Sequence, residues 1–275
     1  MESPHPVSVT ELFSEIHKEL IGLLKSLSKD DWQKPTVCSG WSVKDVTIHL
    51  LGGEIGNISR RRDGDEADVS INNWDELVAF INDWNQRWVL AGRRISPRLL
   101  IDLLELTGPQ MCEYFQRLDP FRMGEPVSWA GPDPAPVWLD LAREYTERWH
   151  HQQHIRDTVN QPGLKQPKYF SPVLETFIRA LPQTYQTTNA NENTSVTLTI
   201  TGEAGGRWSI LRENKEWKLY AGAPNEPSAE VILDQDLAWR LFTRGIDQGA
   251  ALKRITFKGD QLLANKILGM ISIIA

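Results

Sequence analysis

A change of hydrophobic periodicity near residue 165 limits the folds that this chain can adopt. Up to that point apolar residues recur every three or four positions, as in Leu12, Ile16 and Leu20, which is the period of an amphipathic helix. Beyond it, segments such as TSVTLTITGE alternate β-branched and apolar residues in the manner of short strands. The chain is therefore predicted to combine an all-helical part with a part that contains a sheet.

The predicted fold class is α plus α+β, in two domains. Residues 1–165 are predicted to form a four-helix bundle with one long connection, the Pro- and Gly-rich loop GEPVSWAGPDPAP. Residues 166–275 are predicted to form a small α+β domain, in which the last two strands are each followed by a helix. A chain of 275 residues is long enough for two domains of ordinary size.

Local signals indicate where helices of the first domain begin and break. Ser42 is expected to cap the second helix, and Asp45, three residues later, is expected to complete a capping box. The third helical region, residues 74–118, is expected to be interrupted at Pro97 and again near Pro109, because proline removes a backbone hydrogen bond.

Composition and charge exclude several kinds of partner. The chain is 40% hydrophobic and 24% charged, as globular proteins are, and its net charge of −6 argues against a nucleic-acid partner. It has two cysteines and no CxxC pair, which argues against a disulfide scaffold and a cysteine-based zinc site. Neither a signal peptide nor a membrane-spanning run is recognisable. A cytoplasmic location without a membrane partner is expected.

Histidine is concentrated in the segment WHHQQH, residues 149–154, which holds three of the six histidines. On a helix, positions i and i+4 share a face, so His150 and His154 are expected to converge. His151 lies about 100° around the helix from His150 and is expected to point elsewhere. Surface helices also carry such pairs, so a solvated patch and half of a metal site are both open interpretations.

His49 is a third candidate ligand, within an apolar part of the second helix. A buried histidine without a ligand role is the alternative interpretation. Bundles build metal sites from inward-facing side chains of different helices, so packing of the second helix on the fourth would bring His49 to His150 and His154. Three neutral imidazoles leave positions open for water or substrate, as in catalytic zinc sites.

The stretch WQKPTVCSGWSVKDVTIHL, together with WHHQQHIRD in the fourth helix, resembles the DinB-like metal-binding bundle superfamily. Within that superfamily it is most similar to the mycothiol-dependent maleylpyruvate isomerase group, over residues 8–162. The segment AEVILDQDLAWRLFTRG and the later ITFKGDQLLANKIL resemble the small sterol-carrier-like domain that follows the bundle in that group. The order of the two parts adds to the resemblance.

The resemblance implies a divalent metal held by one histidine of the second helix and two ligands of the fourth. Carried onto this sequence, these are His49, His150 and His154, with zinc as the expected metal and nickel or manganese as alternatives. In the isomerase branch the middle ligand is a carboxylate, whereas this assignment gives a histidine. An all-histidine set is typical of the wider superfamily, including thiol S-transferases, and it puts maleylpyruvate as the substrate in doubt.

The function predicted on this basis is metal-dependent and uses a low-molecular-weight thiol similar to mycothiol. A metal-activated thiolate that attacks an electrophile gives an S-conjugate or, after bond rotation and thiol release, an isomerised double bond. The prediction is therefore an S-transferase or cis-trans isomerase of small molecules, either monomeric or homodimeric. The alternatives are a non-catalytic metal-binding protein whose C-terminal domain binds a small apolar ligand, and a metal-free helper protein.

Further residues have candidate roles around this site. Arg240 and Arg244, four apart on a predicted helix, are candidates to bind an anionic substrate or the carboxylates of a thiol cofactor; exposed surface arginines are the alternative. Glu147 and Asp157 are candidates to orient the imidazoles, with solvated ion pairing as the alternative. Cys38 has no histidine near it in sequence and is predicted to be structural.

Overall fold

The computed structural model describes residues 1–65 and 71–273 of the chain, which form two compact units. The helical unit consists of Val9–Pro120 and Glu144–Leu164. The sheet unit consists of Met1–Ser8, Phe121–Arg143 and Lys165–Ala275. The division into domains at residue 165 stays a prediction.

The described part of the helical unit contains five α-helices. They are α1 (Leu12–Ser26), α2 (Val43–Gly56), α3 (Trp74–Gly92), α4 (Pro97–Gln116) and the greater part of α5 (Val137–Val159). Helix α2 packs against α3 and α4, and α1 packs against α4. A π-helical turn, Asn57–Arg62, follows α2 directly. The predicted helical N-terminal region is confirmed, and the order of its elements brings α2 into the centre of the packing.

The region from residue 74 to 118 forms two helices. One of the two expected interruptions is present and the other is absent. The break occurs at Pro97, where Ser96 caps α4 and the proline occupies its first turn. The expected interruption near Pro109 is wrong, because this residue lies inside α4. Met111 and Phe115, which follow it, are both fully buried. Their burial in the bundle offsets the single backbone hydrogen bond that the proline removes.

The start of α2 confirms the predicted capping box. The Ser42 side chain accepts a hydrogen bond from the Asp45 backbone amide, and the Asp45 carboxylate accepts one from the Ser42 amide at 3.0 Å. Arg93, just beyond α3, donates to the same carboxylate at 2.9 Å. Burial alone would raise the pKa of Asp45, but the Arg93 guanidinium and Ser42 lower it below its ordinary value. The beginning of α2 is thereby tied to the end of α3.

Two glycines of this region are expected to respond oppositely to alanine. A Cβ at Gly92 would lie 2.4 Å from Ile48, whose side chain is fully buried, so Gly92→Ala is expected to cost about 1–3 kcal/mol of stability. A Cβ at Gly53 meets nothing within 4 Å, so Gly53→Ala is expected to stabilise α2 by up to about 1 kcal/mol. Urea unfolding of both variants measures the difference. Equal free energies of unfolding would contradict the close packing of α3 on α2.

The connection between α4 and α5 was expected to be a loop throughout, and that expectation is wrong. It contains a short antiparallel pair, β1 (Met123–Pro126) and β2 (Pro134–Pro136). Proline is tolerated at these positions because a two-stranded ribbon has two free edges, where a missing amide leaves no ladder bond unmade.

The sheet unit contains a five-stranded mixed sheet. Its strands are β3 (Ser195–Thr201), β4 (Gly206–Glu213), β5 (Glu216–Ala221), β6 (Ala229–Asp234) and β7 (Thr256–Gly259), in the order β5-β4-β3-β6-β7. Only the central pair β3 and β6 is parallel. The unit also contains α6 (Pro167–Phe177), α7 (Leu181–Tyr185), α8 (Gln235–Phe242), α9 (Gln248–Leu252) and α10 (Gln261–Asn265). The predicted C-terminal part with a sheet is confirmed.

The core of the sheet unit lies between the central strands and two helices. Alternate residues of β6, among them Val231 and Leu233, are buried, and α8 packs on β3, β6 and α6 through Leu237 and Phe242. This alternation is the period-2 pattern that the sequence shows. No helix in the described part of the chain is long and apolar enough to cross a membrane.

Candidate metal centre

The histidines of α5 are buried. His150, His151 and His154 expose 2%, 8% and 5% of their surfaces, so the interpretation of this segment as a solvated patch is wrong. Buried polar side chains in folded proteins have hydrogen-bond or metal partners with few exceptions. The contacts of each imidazole therefore indicate its role.

One set of donor atoms joins α2 to α5. His49 Nε2 lies 2.9 Å from Glu147 Oε1, and His151 Nε2 lies 3.1 Å from the same oxygen. The rings of His49 and His151 are 4.6 Å apart. One ligand atom from each of these residues lies within 4.8 Å of the others. We call His49, Glu147 and His151 the first donor group.

A second set of donor atoms adjoins the first. Cys38 Sγ lies 3.3 Å from His154 Nδ1, and Cys38, His151 and His154 offer ligand atoms within 4.8 Å of one another. We call these three residues the second donor group. Since His151 belongs to both groups, the two are contiguous.

The structure separates the three ligands that the sequence predicts. His49 lies in the first donor group and His154 in the second, whereas His150 lies in neither. The His150 ring packs 4.1 Å from the His151 ring, and its Nδ1 is 2.8 Å from the Thr146 carbonyl oxygen. The ligand role of His150 stays a prediction without support from this geometry. The expectation that His151 points away from the site is wrong.

The register of α5 explains this difference. Glu147 and His151 are four residues apart, as are His150 and His154, and each pair therefore lies on one face of the helix. The two faces differ by roughly 60° around the helix axis. Packing of α2 brings His49 to the face that carries Glu147. The sequence holds this signal as the spacing Glu-x-x-x-His, but spacing alone does not select between the two faces.

The environment sets the charge of these groups. Burial, together with neighbouring His150, lowers the pKa of His151 to about 3, and burial also lowers the pKa of His150. Burial alone would raise the pKa of Glu147, but His151 and His49 hold it well below the ordinary value. At neutral pH His150 and His151 are thus neutral, and the Glu147 carboxylate is charged. These are the states in which such side chains ligate a metal.

The metal-free protein is expected to lose stability as the pH falls from 6.5 towards 3. In this range the unfolded chain binds protons at His150 and His151 that the folded protein does not bind, so acid favours unfolding, and the full stability is present above pH 6.5. Urea midpoints of chelator-treated protein at about pH 7 and about pH 5 measure this dependence. His151→Gln should weaken it, whereas replacing the exposed His5 should not. An unchanged slope in His151→Gln contradicts the assignment.

Trp41 and Trp149 are close in sequence to α2 and to His150, and the structure gives them different surroundings. The Trp41 ring is 5.1 Å from the His49 ring, and its Nε1 donates to Gln86 Oε1 at 3.0 Å. Trp41 thus forms a wall next to the first donor group. Trp149 is fully buried, and its Nε1 donates to the carbonyl of Leu164 at 2.8 Å, so it belongs to the core.

The arginine candidates belong to the sheet unit. Helix α8 ends at Phe242, so Arg244 lies beyond the helix on which it was predicted, exposed and with a φ of 55°. Arg240 is half-buried, with its guanidinium 4.4 Å from the centre of the Trp239 ring. Their roles in substrate binding stay predictions.

Part of the chain matches a family of known proteins. The family profile of the mycothiol maleylpyruvate isomerase N-terminal domain matches residues 13–156, which include all residues of both donor groups. The chain belongs to this family. The family and the fold that the sequence predicts are thereby confirmed. No curated protein sequence matches the chain.

Two solved structures extend the similarity of this family member over both units. The crystal structure of the mycothiol-dependent maleylpyruvate isomerase matches with a TM-score of 0.54 and 13% identity, covering 94% of this chain and 96% of that chain. The structure of a histidine-to-alanine mutant of that isomerase matches with a TM-score of 0.53 and 12% identity, over the same shares. At such identities the similarity shows the fold alone.

Proposed function

We propose that this protein is a metal-dependent enzyme in which a low-molecular-weight thiol is the nucleophile, and that it acts as a cis-trans isomerase. The first donor group carries this proposal. The resemblance to the isomerase branch implies one histidine of the second helix, a carboxylate and a further ligand of the fourth helix. His49, Glu147 and His151 supply these types of donor in this order. The doubt about an isomerase rests on His150 as the middle ligand, and a Glu147 ligand in that position supports an isomerase instead.

The residues of the first donor group fit a divalent cation of the zinc type. Two imidazole nitrogens and one carboxylate oxygen are a common ligand set for catalytic zinc, which keeps a further position open. The charged Glu147 carboxylate and the neutral His151 ring at neutral pH match this role.

The side chains around this position have separable roles. A bound divalent cation lowers the pKa of a thiol that it binds and so supplies a thiolate at neutral pH. Glu147 provides the negative charge that retains the cation, and His49 and His151 orient it through neutral nitrogens. Trp41 shields the His49 ring from water. Arg240 and Arg244 remain our candidates for binding carboxylates of the substrate or of the thiol.

The proposal is tested with untagged protein, first by elemental analysis and then by assay. We expect about one equivalent of divalent metal, and isomerisation of maleylpyruvate that requires both the metal and a mycothiol-like thiol. Removing the metal with a chelator should abolish turnover, and adding zinc, nickel or manganese should restore it. Parallel assays for S-conjugates distinguish a transferase from an isomerase. Protein that binds no metal under any of these conditions would refute the proposal.

A further inference from the structure

Cys38 is held at the metal centre by a closed turn before α2. The Cys38 amide donates to Thr36 Oγ1 at 3.2 Å, and the Trp41 amide donates to the Cys38 carbonyl at 3.0 Å. The Thr36 amide in turn donates to the Trp41 carbonyl at 2.9 Å. These bonds fix the position of the thiol relative to Trp41, whose ring packs beside His49. The prediction of a purely structural Cys38 took no account of His154, which is 116 residues away in sequence.

The thiol of Cys38 adjoins the first donor group at His151. Its sulfur lies within 4.8 Å of a ligand nitrogen of His151 but not within 4.8 Å of all three donors of that group, so its side chain turns toward His49 and Glu147 when it binds. Its closest recorded partner, His154 Nδ1 at 3.3 Å, is a proton acceptor when the ring is the appropriate tautomer. Cys38 is half-buried, and His151 and His154 are buried, so a thiol here is largely screened from water.

We propose that Cys38 is an internal thiol ligand, which occupies the position left open by His49, Glu147 and His151 and which an external thiol must displace. This inference rests on the proposed function, since it requires a metal in the first donor group. When the sulfur binds, its proton passes to His154 Nδ1 and from there to solvent. The sulfur leaves the metal position when an external thiol takes its place, and it then takes up the proton that the external thiol gives up.

Charge balance favours this arrangement. A divalent cation together with the Glu147 carboxylate and two neutral imidazoles carries a net charge of about +1, which is unfavourable in a buried site. A thiolate from Cys38 brings the sum of the ligands and cation to about zero. Sulfur is also a preferred ligand of zinc and cobalt. The second donor group therefore completes the first, with His154 as a positioning residue for the proton.

Cobalt substitution tests this inference without an activity assay. Chelator-treated protein is loaded with Co²⁺, its cobalt content is measured, and its absorption spectrum is recorded for a thiolate-to-cobalt charge-transfer band. We expect the band in the wild type and in Cys112→Ala, whose thiol is buried in α4 outside both donor groups. Cys38→Ala should retain cobalt and lack the band. Added β-mercaptoethanol should then produce the band in Cys38→Ala at a concentration at least about tenfold lower than is needed to perturb it in the wild type.

The outcomes separate the two proposals. Wild-type protein that binds cobalt without the band overturns the role of Cys38 and leaves the proposed function intact. Wild-type protein that binds no cobalt overturns both. A second measurement needs no variant: cobalt loading should slow alkylation of Cys38 by iodoacetamide in the wild type by at least about tenfold, with glutathione in a parallel solution as the reference thiol. Equal alkylation rates with and without cobalt also overturn the inference.

Discussion

Replacing His151 with alanine is expected to weaken metal binding by more than about 100-fold and to abolish metal-dependent turnover. Removal of a residue that only orients a ligand costs about 10–100-fold in affinity, and loss of a ligand should cost more. The metal affinity of His150→Ala is expected to stay within about tenfold of that of the wild type, because His150 Nδ1 is directed to the Thr146 carbonyl. The two positions are adjacent, and both are buried.

His150→Ala is therefore a matched control for the loss of a buried imidazole. Metal content by elemental analysis and affinity by competition with a chelator measure the effect, and circular dichroism shows whether each variant is folded. His49→Ala and Glu147→Gln should resemble His151→Ala. The reverse pattern, in which His150→Ala loses the metal and His151→Ala keeps it, would restore the ligand set His49, His150 and His154.

The second large effect concerns a buried ion pair on the same helix. Glu144→Ala is expected to lower the free energy of unfolding by about 3–5 kcal/mol. Arg148 Nη1 donates to the Glu144 carboxylate at 2.7 Å, and Asn57 donates to the same carboxylate at 3.0 Å. Both charged residues are more than nine-tenths buried. Removing the carboxylate leaves the guanidinium charge in the core, against Phe13 and Phe115, without its counter-ion.

Urea unfolding of three variants separates the pair from the packing. Glu144→Ala and Arg148→Met are the single changes, and the double variant removes both charges. We expect the double variant to be more stable than Glu144→Ala alone, because no unpaired charge remains in the core. Additive losses in the double variant would show that the carboxylate and guanidinium do not interact in the folded protein.

Local sequence signals predicted those parts of the fold that local contacts determine. The capping box of Ser42 and Asp45 needs only three residues of separation, and it forms as expected. Strand β6 follows the alternation of its sequence, since one residue in two is buried, whereas β3 buries consecutive residues and departs from simple alternation. Pro109 was misjudged because its effect depends on burial of α4 residues against other helices, which a local rule does not contain.

The candidate donor groups agree only in part with the sequence prediction, for a related reason. Of the three predicted ligands, His49 and His154 lie in donor groups and His150 does not. Two faces of α5 carry correctly spaced donors, and the packing of α2 selects the one with Glu147 and His151. The contact of Cys38 with His154 joins segments that are far apart in sequence, and no local pattern indicates it. Tertiary packing therefore determined every feature of the site that the sequence analysis missed.

Under the proposed function, the sharing of His151 between two donor groups makes metal preference an evolvable property of this scaffold. With nitrogen and carboxylate donors alone, the position suits harder cations such as manganese as well as zinc, whereas a nearby sulfur favours softer ones. A single substitution at Cys38 would change that balance while the residues of the first donor group stay in place. Related bundles could thus diverge in metal and in chemistry through the turn before α2, and a protein engineer could use the same position.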